Sequence, residues 1–145
     1  ILLFISLNGS SVIDFSLFKV NIQYILVYFW VLRHPGSLGY GFIFLSGVIT
    51  DVISGFPLGV HALSLLVIAG VAAYVRTVTV RITLLNDWVS FIPALLIVNF
   101  INYFSLYVLD YNLDYMLLLK HSISTFFFYP VFWIIFILIL NLSKN

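Results

Sequence analysis

Cysteine is missing from all 145 positions, so no disulfide or cysteine-ligated metal is available and the redox compartment leaves no trace. Charge is nearly missing too: six Lys+Arg and five Asp+Glu make up only 8% of the chain. A soluble domain carries about 25% charged residues, because water must wet its surface. Eleven charges cannot do that here. The formal net charge of +1 supplies no field for gathering phosphates, which excludes nucleic-acid binding as a class. Paired carboxylates, a thiol nucleophile and a metal-ligand cluster are also lacking, so neither an enzyme nor a bound cofactor is expected.

What is present is apolar: 63% of residues are hydrophobic and 19% aromatic. A lipid-facing exterior removes the wetting problem, which makes the chain an integral membrane protein in contact with the bilayer. Closed β-barrels also satisfy their backbone in lipid, but their strands alternate apolar and polar residues. The runs here are continuous, as in "YILVYFWVL", "ALLIVNFI" and "FWIIFILIL". The fold class is therefore all-α, a polytopic bundle in one membrane domain over residues 1–145.

Six spans are expected, joined by short loops. They fall at about 1–7 (partial), 16–32, 37–54, 58–75, 87–109 and 116–141. "ILLFISL" reads as the end of a helix, so further N-terminal sequence is expected. Pro35 and Gly36 end the second span, Gly55 and Pro57 the third, and Pro130 is expected to kink the sixth. Asp87 is expected to open the fifth as an N-cap or first-turn acid. Arg33, Arg76, Arg81 and Lys144 then fall on one side, with Asp87 the lone acid among them. Asp14, Asp110 and Asp114 fall on the other, with Lys19 and Lys120 near the edges. The positive-inside rule assigns the arginine side, and both termini, to the cytoplasm.

The third span carries Gly39, Gly47, Asp51 and Gly55 along one i+4 row, with Ser46, Thr50 and Ser54 on the next. The fourth answers with Gly59, Ala62, Ala69, Gly70, Ala72 and Ala73. Small residues let helices approach closely in lipid, so these two spans are expected to form a tight hairpin across the turn "SGFPLG". Leucine at Gly47 or Gly55 is expected to push them apart. Asp51 leaves two readings open. It can bond the turn amides or the start of the fourth span, with His61 as a partner, or it can be a ligand or proton site. Arg33 is expected to anchor the cytoplasmic end, and Arg76 and Arg81 to meet lipid headgroups. Asn99 and Asn102 are expected to bond between helices, Lys120 and His121 to snorkel outward, and "TFFFYPVF" to be lipid-facing bulk.

Residues 27–69 resemble MreD, the rod-shape-determining membrane protein family of bacteria. The likeness rests on Arg33 and Pro35 at a helix-ending turn, on Gly41 and Gly47, and on Asp51, Ser54 and Gly55 as Asp-x-x-Ser-Gly. Leu58, Gly59, Ala62 and Leu63 follow as Leu-Gly-x-x-Ala-Leu, and Tyr129-Pro130 matches some relatives. The Pro-Asp that often opens the family's second span is replaced by "VNIQY", and residues 80–128 match only in hydropathy. The resemblance implies a non-enzymatic scaffold of the cell-elongation machinery in the bacterial inner membrane. Its implied partner is MreC, in a larger complex with RodA, a penicillin-binding transpeptidase and the MreB filament that directs lateral peptidoglycan synthesis. The partner-contact candidates are Arg33, Pro35, Gly47, Asp51, Ser54, Gly55, Leu58, Gly59 and His61. The competing class is the substrate-binding membrane subunit of a vitamin-type importer, which needs an outward pocket with convergent polar groups.

Overall fold

The segment "IQYILVYFWVLR" has no polar face, and an all-round apolar helix belongs inside a bundle. The computed structural model, which describes residues 21–34, 36, 38–81, 83–112 and 114–144, places it there. This helix, α1 (Ile22–Arg33), buries nine of its twelve residues and forms the centre of the molecule. Around it lie α2 (Tyr40–Ser54), α3 (Val60–Val78), α4 (Leu84–Val108) and α5 (Tyr115–Leu142). The helices α3 and α5 both pack on α1, α4 bridges α3 and α5, and α2 lies against the outer side of α3. Among the described residues there is no β-strand.

Three of these helices, α3, α4 and α5, are long and apolar enough to cross a membrane, while α1 and α2 are shorter apolar helices. The described residues thus form an all-helical, membrane-type bundle of five helices. The expected span 1–7 and the start of the second at 16–20 lie outside the described residues.

Helix boundaries moved for local reasons. Hydropathy ends the fourth span at residue 75, but α3 continues through Arg76 to Val78, because a charged side chain on the rim does not interrupt backbone bonding. The cap of α4 is Thr83, whose side chain accepts from the Asn86 amide, so the helix starts before Asp87 and carries that acid within its first turn. Asp114 caps α5 by accepting from the Met116 amide at 3.2 Å.

The core is aromatic where α1, α4 and α5 meet. Tyr129 stacks on Phe91 with ring centroids 4.8 Å apart and meets Tyr28 edge-on at 6.1 Å. The segment "TFFFYPVF" is therefore split rather than uniformly lipid-facing. Thr125 and Tyr129 are buried, whereas Phe127 and Phe128 face outward. Pro130 removes the amide that would bond the Phe126 carbonyl one turn earlier. The Trp88 indole Nε1–H donates to that carbonyl at 2.9 Å, and its ring stacks on Phe126.

A prediction follows for that pair. Trp88→Phe keeps an aromatic ring but leaves the carbonyl without its donor, at a cost of about 1–3 kcal/mol. In a Pro130→Ala background the backbone amide returns, so the same substitution should cost measurably less. Denaturant unfolding of the four proteins in mild detergent reads this coupling.

Candidate functional site

Glycine and aspartate build the α2–α3 turn from the backbone outward. Gly55 ends α2 at φ +69°, and its amide and that of Phe56 both donate to the Asp51 carbonyl. Gly59 opens α3 at φ +101° and offers no capping side chain of its own. The cap comes instead from Asp51 on the preceding helix. Its Oδ2 accepts from the Gly59 amide at 2.8 Å, and its Oδ1 accepts from the His61 amide at 3.0 Å. His61 Nδ1 is 2.8 Å from the same Oδ1, a contact that assigns the ring hydrogen to Nδ1. Asp51 is fully buried, and its carboxyl group lies at the positive end of the α3 dipole. Both carboxylate oxygens are engaged by the hairpin itself.

The small-residue row contributes unequally. A Cβ built on Gly47 would run into the Cα and N of Ala62, so here the two backbones touch. Gly39, Gly55, Gly59 and Gly70 have open space where a Cβ would stand. The expectation that leucine at Gly55 pushes the helices apart is therefore corrected: Gly55 is required for its left-handed backbone, which a Cβ disfavours. Ala62, Ala69 and Ala72 are buried. Ser54 is exposed, and Leu58 projects from the turn at 72% exposure. Phe56 is held between His61, at 5.3 Å, and Tyr111, at 5.8 Å. Pro35 lies outside the described residues.

Beneath the turn, polar side chains tie helix to helix. Gln23 Nε2 donates to Thr50 Oγ1 at 2.9 Å, joining α1 to α2. Ser64 Oγ donates to Asn102 Oδ1 at 2.5 Å, and Asn102 Nδ2 donates to the Tyr24 hydroxyl at 3.4 Å. Ser122 Oγ donates to Asn99 Oδ1 at 2.6 Å, joining α4 to α5. Asn99 and Asn102 thus spend their amides between helices rather than around a shared cavity.

At the other end of the bundle Arg33 stands at the close of α1, as its reading as a helix stop expected. Its guanidinium lies 3.7 Å from Asp87 Oδ2. It lies 5.2 Å from the Phe29 ring centre and 5.1 Å from that of Trp133. Trp133 Nε1 donates to the same Asp87 oxygen at 3.0 Å. Sequence reasoning missed this cluster; the available signal was one acid on an otherwise basic side. Arg76, Arg81 and Lys144 are exposed at this end.

Asp87→Asn should destabilise the bundle by about 2–3 kcal/mol, less than the loss of a fully buried pair because Arg33 keeps some solvent contact. Adding Arg33→Met to that variant should recover part of the loss, since no unpaired charge remains; detergent unfolding of the single and double variants measures both steps.

Among the described residues, no three His, Cys, Asp or Glu side chains gather as a metal site. No protein-family model, curated protein or solved structure matches the chain.

Proposed function

We propose that this chain is a non-enzymatic scaffold of the MreD type, with six spans in the bacterial inner membrane and both termini in the cytoplasm. In this reading it serves rod-shape determination and lateral peptidoglycan synthesis by binding MreC. RodA, a penicillin-binding transpeptidase and MreB join them in a larger assembly. The observation that carries the proposal is the hairpin. Gly47, Asp51, Gly55, Gly59 and Ala62, which bear much of the resemblance, meet in one compact turn in which both Asp51 carboxylate oxygens accept from backbone amides.

Cross-bonds of this kind restrain a turn, and restraint lowers the ordering cost of docking a partner. Leu58 and Ser54 are exposed on it. Arg33, Arg76, Arg81 and Lys144 gather at the opposite end, so the positive-inside rule assigns the turn to the periplasmic face. That is the side on which MreC would emerge.

Transport would need polar groups converging on a pocket that opens at the turn. Asp51 and His61 bond each other, Asn102 bonds Ser64, and Asn99 bonds Ser122, which weighs against that alternative. The test is gentle-detergent purification of the tagged protein from its own cells, followed by mass spectrometry. MreC, RodA and the transpeptidase in the eluate support the scaffold. An ATPase module with a coupling subunit, or a vitamin-sized ligand, would replace it with the importer.

A further inference from the structure

A cleft of about 250 Å³ opens at the basic end, lined by Arg33 and His34 from the end of α1 and by Ile137, Leu140, Asn141 and Lys144 from the end of α5. We propose that this cleft binds the phosphate of an anionic phospholipid, with the first carbons of the acyl chains against Ile137 and Leu140. The inference needs the bundle to sit in a bilayer and does not depend on which protein partner the hairpin meets.

Three features carry it. First, the lining holds both chemistries that a headgroup joined to a chain requires: Arg33, Asn141 and Lys144 as cationic and amide donors, and Ile137 and Leu140 as branched apolar side chains. Second, Arg33 has donor capacity to spare. Its side chain lines the cleft and keeps 22% of its surface exposed, and Asp87, at 3.7 Å, is beyond hydrogen-bond length. Third, the depth fits. The 28 residues of α5 extend about 42 Å, more than the roughly 30 Å hydrocarbon core, so its last turn reaches the headgroups.

One effect opposes an anion here, since α1 and α5 both present their C-termini to the cleft. That dipole field is screened by salt and fades within a turn. Direct charge-assisted bonds from a guanidinium and an ammonium to phosphate are stronger.

The test uses the whole chain in nanodiscs of mixed phosphatidylglycerol and phosphatidylcholine, with native mass spectrometry of the lipid that stays bound on release. The wild type should retain phosphatidylglycerol preferentially. Lys144→Gln should lower that preference about fivefold, the worth of one cation near a membrane surface. Asn141→Leu should lower it as well, by removing a donor and filling the cleft. Arg81→Gln, at the same end but outside the cleft, should lower it by clearly less than either cleft variant. An equal fall with Arg81→Gln would reduce the effect to general surface charge and overturn the proposal, as would an unchanged preference in both cleft variants. Displacement of the retained lipid by millimolar inorganic phosphate would overturn the lipid assignment in favour of a free anion.

Discussion

Asp51→Ala should lower unfolding stability by about 3–5 kcal/mol, a large share of what holds a bundle of this size together. The substitution removes the acceptor for the Gly59 and His61 amides and the partner of the His61 ring, all through one fully buried carboxylate. Two amides at the start of α3 would then be left without acceptors in an environment where water cannot easily replace them. Asp51→Asn keeps the shape and one acceptor oxygen, so its loss should be smaller, about 1–2 kcal/mol. Equilibrium unfolding in mild detergent ranks the three proteins. An alanine variant as stable as the wild type would mean that the carboxylate does not close the hairpin.

The second large effect belongs to Gly47. Its backbone lies directly on that of Ala62, and a backbone cannot rotate away as a flexible side chain can. Gly47→Leu should therefore separate α2 from α3 and cost about 3 kcal/mol, the upper end of the usual overpacking range. Gly55→Leu is the informative contrast, because open space surrounds that position and only its positive φ resists the change. Its cost should be about 1 kcal/mol, from backbone strain alone. Single-cysteine distance measurements across the hairpin should show α2 displaced in the Gly47 variant and in place in the Gly55 variant. In the proposed scaffold, partner binding should fall sharply only with the first.

These two positions also show what the sequence revealed and where it stopped. The α2–α3 hairpin was legible because its signals are local: a glycine-proline turn, a small-residue row at i+4 spacing and an acid one turn from the helix end. The difference between Gly47 and Gly55 was not legible, since a pattern gives the face but not the distance to the neighbouring backbone. The Arg33–Asp87–Trp133 cluster was hidden because its members lie on three helices far apart in sequence. The central position of α1 was hidden for a different reason. In a membrane protein, lipid-facing and buried helices are both apolar, so hydropathy cannot rank them, and α5 reads as the more hydrophobic while staying largely on the outside. The bonding of Trp88 to the carbonyl freed by Pro130 likewise required the fold to bring two helices together.

The central claim is that the α2–α3 turn docks MreC. None of these 145 residues is cysteine, so an introduced thiol is the only one among them. Leu58→Cys on the turn and Arg81→Cys at the opposite end would each carry a short photoactivatable crosslinker in membranes containing MreC. The account predicts a crosslink to MreC from position 58 and none from position 81. A crosslink from position 81 alone, or from neither, would contradict it.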